Sequence, residues 1–223
     1  MAPRGLLLDA MGTLIGLRRS VGAVYSELAA SHGLAVDAGA LDRVFPAIYR
    51  QAPPLAFPGL AGAELLAAER AWWGARIAEA FAACGQAGPL PPQLAGALFD
   101  RFAEPDLWHV YPDVAGPLEA WQRRGLKLAV VSNFDQRLSG LLEGLGLADA
   151  FAAVVVSSAA GAAKPDPRPF QRALEALRLE LEAVWHVGDS PEDEAGARAA
   201  GVRPVLIRRP RGADPTPPGA GAR

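Results

Sequence analysis

Four polar side chains follow apolar runs of this sequence, each at or shortly after the point where a run ends: Asp9, Ser132, Lys164 and Asp189. A pair of carboxylates can hold a hard divalent cation together with water and substrate oxygens. A lysine and a hydroxyl can bind the remaining oxygens of an anion, and the helix that follows Ser132 offers free amides. The set suits phosphoryl transfer, because a carboxylate kept ionised by Mg²⁺ and lysine can attack phosphorus.

Each of these residues, taken alone, has an ordinary structural explanation. A Ser-Asn pair at the end of a strand is common in turns, and Asp-Ser before a helix commonly caps it. Lysine, however, is scarce here, since only Lys127 and Lys164 occur among 22 basic residues. Two carboxylates, a hydroxyl and a rare lysine in this order are difficult to explain as independent caps, and they favour one shared site.

The elements that must position these residues are predicted from apolar runs. Such runs predict strands over residues 5–11, 126–133, 153–158, 183–189 and 203–208. Their near-continuous apolar character is typical of a parallel sheet covered on both faces, and helical patterns alternate with the last four runs. We therefore expect an α/β fold with a doubly wound, Rossmann-like parallel sheet, in which ligands bind beyond the carboxyl ends of the strands.

More than a hundred residues separate the first two predicted strands, and most of them have a helical pattern. Helices are predicted over residues 20–32, 38–51, 62–84 and 92–103. We expect an all-helical cap of residues 16–108, inserted into an α/β core of residues 1–15 and 109–209. Packing of Trp72, Trp73 and nearby phenylalanines in the cap core is the default expectation, with a substrate pocket as the alternative for the tryptophan pair. Residues 210–223, rich in Pro and Gly, predict a flexible tail.

Composition excludes several classes of function. The chain has 223 residues, of which 51% are hydrophobic and 21% charged, as in ordinary globular proteins. A net charge of -2 gives no electrostatic reason to expect nucleic acid or an anionic membrane as the partner. The single cysteine, Cys84, cannot form an internal disulfide, which fits a cytoplasmic protein. The oligomeric state stays open.

Short motifs make the chain resemble the haloacid dehalogenase-like hydrolase superfamily, in the branch with a helical cap inserted after the first motif. Residues 9–13, Asp-Ala-Met-Gly-Thr, resemble the first motif, which is normally Asp-x-Asp-Gly-Thr. The other motifs follow in the family's order, as Ser132 with Asn133, Lys164 with Pro165, and Gly188-Asp189-Ser190 through Asp193-Glu194. The resemblance covers essentially the whole chain except the predicted tail.

This resemblance implies roles for individual residues. Asp9 would be the nucleophile that forms an aspartyl-phosphate, and Ser132 and Lys164 would hold the transferred group. The residues that line the substrate phosphate would be Gly12, Thr13, Ser132, Asn133 and Lys164. The Mg²⁺ ligands would be Asp9, Asp189 and the main-chain carbonyl of Met11. Asp193 or Glu194 would orient the waters of the metal, and the sequence leaves that choice open.

Met11 departs from the phosphatase pattern, in which the residue two after the nucleophile is an aspartate that protonates the departing alkoxide. Such acid–base help is worth about 10²–10⁴ in rate. A thioether cannot donate or accept a proton usefully at neutral pH. The methionine therefore predicts a substrate whose leaving group needs no proton, a different acid, or weak turnover.

Branches of the superfamily that lack this aspartate do not match the chain. Haloacid dehalogenases have tyrosine at that position and lack the Gly-Asp of the fourth motif, whereas Asp189 is present here and Phe170 replaces a second tyrosine. Phosphonoacetaldehyde hydrolases need a lysine from the cap, and residues 16–108 contain none. The ion-pumping ATPases are large membrane proteins.

The sequence thus predicts a Mg²⁺-dependent hydrolase that acts on a small phosphorylated metabolite and is restricted to good leaving groups such as acyl or aryl phosphates. Two alternatives stay open. A protein of this fold that binds phosphate and Mg²⁺ without efficient turnover would serve as an interaction or regulatory module. A 2-haloacid dehalogenase with altered motifs is the other alternative, against which Asp189 and Phe170 both count.

Overall fold

The structure of the chain, a computed structural model, describes residues 2–86 and 88–209, so the predicted tail lies outside the described residues. In chain order, the strands and helices are β1 Gly5–Leu8, β2 Ile15–Leu17, α1 Val21–Ser31, α2 Ala38–Gln51, α3 Gly62–Ala83, α4 Leu94–Arg101, β3 Trp108–Val110, α5 Ala115–Arg123, β4 Lys127–Ser132, α6 Arg137–Gly144, β5 Ala153–Val156, α7 Ser157–Ala160, α8 Arg168–Leu177, β6 Val184–Gly188, α9 Pro191–Ala199 and β7 Arg203–Leu206. In this part of the chain, no helix is long and apolar enough to cross a membrane.

A parallel sheet of five strands, in the order β5-β4-β1-β6-β7, forms the centre of the molecule. Strand β1 lies in the middle, since Leu8 is in register with Val130 of β4 and with Val187 of β6. Alternate residues of β1 enter different apolar clusters, Leu6 and Leu8 on one face and Leu7 on the other. Burial on both faces explains why these strands have no polar alternation, and it confirms the expected α/β class.

The strand order places the end of β1 at the point where the connections change side. After β1 the chain forms β4 and β5 on one side, and then crosses to form β6 and β7 on the other. In open α/β sheets ligands bind at such a point, beyond the carboxyl ends of the strands. Each observed strand also ends before the predicted one, because the residues at this edge leave the ladder; Ser157 and Ser158, predicted to lie in a strand, begin helix α7. Asp9 therefore follows the central strand directly.

Two features of the core were missed by the sequence analysis. Strands β2 and β3 pair antiparallel, with Leu17 opposite Trp108, and they join the core to the two ends of the helical insertion. Their three-residue length is too short to give a readable period. Helix α5 was also missed, because Gly116 and Pro117 near its beginning weaken the helical pattern.

Helices α1 to α4 pack around their own apolar cluster, which includes the buried residues Tyr25, Leu41, Ile77, Phe81 and Leu98. Of the aromatic residues expected in this core, Phe81 is buried in it and Phe102 packs against it. Trp72 and Trp73 are only half-buried, and the indole nitrogen of Trp73 donates to Asp135 at 2.6 Å. The expectation that this pair fills the cap core is therefore wrong: Trp73 bonds to the α/β core, and Trp72 donates to the main-chain oxygen of Pro53 at 3.0 Å.

We expect Gly22→Ala to destabilise the protein, because α1 and α2 approach most closely at this glycine. Its amide donates to Asp42 Oδ1 at 2.7 Å, and an added Cβ would lie 2.8 Å from that carboxylate and against the Ala38 carbonyl. Such overpacking costs about 1–3 kcal/mol of the free energy of unfolding. Chemical denaturation of both proteins measures the change.

The matched control is Gly140→Ala, at an exposed position of α6 where an added Cβ meets nothing within 4 Å. Here the same substitution should stabilise by about 0.5–1 kcal/mol, because alanine loses less backbone entropy in a helix. Equal free energies of unfolding for the two variants would contradict the close approach at Gly22.

Candidate active site

The carboxylate of Asp9, at the end of β1, is contacted by both of the side chains predicted to accompany it. Ser132 Oγ, at the end of β4, donates to Asp9 Oδ1 at 3.0 Å, and Lys164 Nζ donates to the same oxygen at 2.6 Å. All three side chains are buried, with residue exposures of 5%, 3% and 5% for Asp9, Ser132 and Lys164. The structure thus brings together residues that are 123 and 155 positions apart in the sequence.

Lys164 binds more than Asp9. Its ammonium also donates to Asp193 Oδ1 at 2.6 Å and to the main-chain oxygen of Val131 at 3.0 Å. Burial alone would lower the pKa of Lys164, but the carboxylates of Asp9 and Asp193 outweigh it, and the pKa is raised above its usual value. The lysine is therefore a fixed positive charge at this edge of the sheet.

The main chain at Lys164 is held by a side chain of the second motif. Asn133 Oδ1 accepts from the Lys164 amide at 2.7 Å, and Asn133 Nδ2 donates to the Lys164 carbonyl at 3.0 Å. This paired contact fixes the connection after α7 against the end of β4. Asn133 thus lies in the site as predicted, and its contacts are with the lysine backbone.

Asp193, rather than Glu194, is the acidic residue of α9 that reaches the site. It is buried and forms a capping box with Ser190, whose hydroxyl donates to Asp193 Oδ2 at 2.6 Å. His186 Nε2 lies 2.8 Å from Asp193 Oδ1. Burial would raise the pKa of Asp193, but the bonds from His186 and Lys164 hold it well below its usual range. Glu194 points away and pairs with Arg198 on the surface.

Asp189 completes a group of carboxylates around Asp9. Oxygens of Asp9, Asp189 and Asp193 lie within 4.8 Å of one another. Partial burial, followed by repulsion from Asp9 and Asp193, raises the pKa of Asp189, although the residue as a whole is exposed. Carboxylates that repel one another at such distances match the donor set of a hard divalent cation. The residues present therefore fit a metal ion.

The loop after Asp9 is shaped by Gly12, whose φ of +86° lies in the left-handed region that glycine adopts without strain. A Cβ there would clash with the Asp189 carboxylate, which rests directly on this glycine. Thr13 Oγ1 lies 3.4 Å from Asp189 Oδ1. Gly12 and Thr13 are thus next to the predicted metal ligand, as expected for residues of the first motif.

Met11 is exposed at this edge, with 49% of its surface accessible. It makes a single β-bridge with Ile15 and lies outside the named strands. The bridge is a contact of the backbone, and it leaves about half of the surface of Met11 open to solvent. Its accessibility agrees with a position that an aspartate would occupy equally well, and the thioether supplies no proton there.

Arg209 is a residue near the site that the sequence analysis missed. Its guanidinium donates to the main-chain oxygens of Gly12, at 3.0 Å, and Thr13, at 2.6 Å, and to Asp113 at 2.7 Å. It also stacks on Tyr111, 3.7 Å from the ring centroid. No local sequence pattern predicts these contacts, because the hydrogen bonds join Arg209 to residues 96, 196 and 197 positions away. The arginine holds the loop that carries Met11.

We expect Arg209→Ala to lower the free energy of unfolding by about 1–3 kcal/mol, because the carbonyls of Gly12 and Thr13 lose charged donors. Arg208→Ala is the matched control, since Arg208 is exposed and its substitution removes the same charge. That control should change stability by less than about 0.5 kcal/mol. Chemical denaturation measures both, and equal effects of the two substitutions would contradict a structural role for the guanidinium contacts.

Comparison with known proteins agrees with this geometry. A model of haloacid dehalogenase-like hydrolases matches residues 3–201. The chain is 40% identical over 215 residues to haloacid dehalogenase-like hydrolase domain-containing protein 3 of Bos taurus, covering 95% of this chain and 84% of that protein. It is 39% identical over 126 residues to a phosphoserine phosphatase of Thermus thermophilus, covering 56% of this chain and 51% of that one.

A solved structure extends the likeness to the whole fold. The L-2-haloacid dehalogenase of Xanthobacter autotrophicus matches with a TM-score of 0.68 at 22% identity, covering 96% of this chain and 80% of that one. At this identity the likeness concerns the fold alone. The family model and the curated relative match most of the chain, and the ordered motifs and the contacts of Asp9 agree with them. The chain therefore belongs to the haloacid dehalogenase-like hydrolase family.

Proposed function

We propose that this protein is a Mg²⁺-dependent phosphohydrolase that transfers the phosphoryl group of a small phosphorylated substrate to Asp9 and then to water. The observation that carries the proposal is the buried contact of Asp9 Oδ1 with Ser132 Oγ, at 3.0 Å, and with Lys164 Nζ, at 2.6 Å. The similarity to a protein named phosphoserine phosphatase supports the same class of chemistry.

Asp9 acts as the nucleophile. Its carboxylate attacks phosphorus and forms an acyl-phosphate, while the bond from phosphorus to the leaving oxygen breaks and its electron pair departs with that oxygen. Lys164 and Ser132 already reach the Asp9 carboxylate, so they bind the oxygens of a phosphoryl group placed there. Water then attacks phosphorus, which releases inorganic phosphate and restores Asp9.

Asp9, Asp189 and the main-chain carbonyl of Met11 would hold Mg²⁺, which when bound polarises the phosphoryl oxygens. Asp193 has another task in this proposal. Its oxygens are engaged by Ser190, His186 and Lys164, so it fixes the lysine beside the nucleophile. Gly12 and Thr13, in the loop after Asp9, would line the substrate phosphate.

Met11 sets the class of leaving group. The site has a nucleophile, a lysine and an acidic cluster, but at position 11, where the usual acid would stand, the side chain is a thioether. An alkoxide that departs without a proton is a strong base, because its conjugate alcohol is about as weak an acid as water. Acyl phosphates and aryl phosphates release weaker bases. We therefore propose that the substrate carries such a leaving group.

We expect Asp9→Asn to abolish turnover of para-nitrophenyl phosphate, with a loss of more than about a thousandfold in kcat, because the amide is not a nucleophile. Chelation of divalent cations by EDTA should also stop turnover, and added Mg²⁺ should restore it. Release of para-nitrophenol measures both effects. Asp106→Asn is the control, since this exposed aspartate of the cap pairs with Arg101 and lies outside the acidic cluster.

Two results would contradict the proposal in different ways. The wild-type protein could turn over none of a broad panel of phosphates and form no aspartyl-fluoride-metal complex. That result would favour a phosphate-binding interaction module. Release of halide from 2-haloacids that survives EDTA would favour a dehalogenase.

We expect Met11→Asp to raise the kcat for an alkyl phosphate by about 10²–10⁴, because the new carboxyl can protonate the alkoxide. The kcat for para-nitrophenyl phosphate should change much less, since its leaving group needs no proton. Steady-state kinetics with the two substrates gives the ratio. Met11→Asn is the control, because it has the same shape as aspartate and no acidic proton. Equal gains for both substrates, or an equal gain with asparagine, would contradict the role assigned to position 11.

A further inference from the structure

An aromatic cluster, formed by Tyr49 of α2 and by Trp72 and Trp73 of α3, lies on the cap. The rings of Tyr49 and Trp73 are nearly parallel, with centroids 6.0 Å apart and an interplanar angle of 23°. Trp72 stands edge-on to both of them, at 6.0 Å from Tyr49 and 4.9 Å from Trp73. The three rings hold one another in fixed orientations and form a rigid aromatic surface.

A hydrogen bond attaches this surface to the edge of the sheet where Asp9 lies. Trp73 Nε1 donates to Asp135 Oδ2 at 2.6 Å, and Asp135 is fully buried three residues after Ser132. Arg137 pairs with Asp135 and lies 5.3 Å from the Trp73 ring. The aromatic cluster is therefore attached to the loop that follows Ser132, the residue whose hydroxyl donates to Asp9.

Tyr49 is accessible in spite of these contacts, with 38% of its surface exposed. Burial, followed by the carboxylates of Asp9 and Asp135, raises the pKa of the Tyr49 phenol above its usual value. Tyr25, the tyrosine of α1, is by contrast only 3% exposed within the cap core. Tyr49, unlike Tyr25, is thus partly open to solvent.

The exposed side chain of Met11 adds a second apolar surface at the same edge. Among the described residues, Met11 and Tyr49 belong to a small set of large hydrophobic side chains that are exposed. A methionine and an aromatic ring make favourable contacts with a flat apolar group, through sulfur–aromatic contact and ring stacking. Neither side chain carries a charge that would bind a polar leaving group such as a sugar or an amino acid.

We propose that Tyr49, supported by Trp73, forms with Met11 the subsite for the leaving group, and that this group is a flat aromatic ring bonded to the phosphate oxygen. The inference rests on the proposed phosphohydrolase function and narrows its substrate to aryl phosphates. A phenol has a pKa of about 10, as the tyrosine side chain does, so it leaves as the phenolate without an acid at position 11. Attack by Asp9 breaks the bond between phosphorus and the aryl oxygen, whose electron pair departs on the phenolate and takes a proton from solvent.

The test compares two substrates with good leaving groups, of which only one has a ring: para-nitrophenyl phosphate and acetyl phosphate. In Tyr49→Ala we expect the ratio of their kcat/KM values, aryl over acetyl, to fall about tenfold, as the loss of an aromatic pair predicts. In Tyr49→Phe the ratio should be retained, because the ring remains. Leu181→Ala, an exposed leucine before β6 at the opposite end of the sheet, is the control.

The outcomes separate the inference from the function on which it rests. If the wild-type protein turns over neither substrate, the proposed function fails. If it turns over both and the ratio is unchanged in Tyr49→Ala, the aromatic subsite is wrong. A ratio that falls equally in Tyr49→Phe would overturn the stacking role and assign the effect to the hydroxyl.

A measurement on the wild-type protein keeps the inference falsifiable if Tyr49→Ala does not fold. Phenylphosphonate and methylphosphonate both present the phosphoryl oxygens, and neither has a bond that the enzyme hydrolyses. We expect phenylphosphonate to inhibit acetyl phosphate turnover with an inhibition constant about tenfold lower than that of methylphosphonate. Equal inhibition constants would overturn the proposal.

Discussion

The buried ammonium of Lys164, held between Asp9 and Asp193, is the interaction on which the rest of the site depends. A buried charge is costly unless it is paired and hydrogen-bonded, and removal of one partner leaves the others uncompensated. Asp9 follows the central strand, Asp193 lies on α9, and Lys164 lies in the connection between α7 and α8. These residues meet only when β1 lies between β4 and β6. The strand order and the charge cluster therefore stabilise each other.

The sequence predicted this meeting because it follows from a general property of parallel sheets. Their strands are buried on both faces and so appear as apolar runs, and their carboxyl ends share one edge. Polar residues at the ends of several runs must therefore lie together, as Asp9 and Ser132 do at 3.0 Å between Oγ and Oδ1. The choice between Asp193 and Glu194 was left open, although a local signal existed. Ser190 followed three residues later by an acid is the pattern of a capping box, which turns Asp193 inward.

Other parts of the structure had no signal of this kind. Arg209 reaches the carbonyls of Gly12 and Thr13, and Trp73 reaches Asp135, through contacts between distant segments. Such contacts depend on how the cap and the segment that carries Arg209 pack against the core, and neither arrangement follows from the hydrophobic periodicity of the sequence. Trp73 also shows why the default of core packing failed. An indole has an apolar body and one polar N–H, so it suits a boundary between two packed units where a carboxylate accepts that hydrogen.

In the proposed reaction, the phosphoryl group and the leaving group would be bound by separate sets of side chains. The phosphoryl group is addressed by Asp9, Ser132 and Lys164, which are buried and bonded to one another. The proposed subsite for the leaving group consists of exposed residues, Met11 on the core and Tyr49 on the cap, which take no part in that network. A substitution on the exposed side can change the acid and the shape of the subsite without uncovering a buried charge. Loss of the usual aspartate is thus compatible with an intact nucleophile and metal-binding cluster, and it moves the expected chemistry toward leaving groups that need no proton.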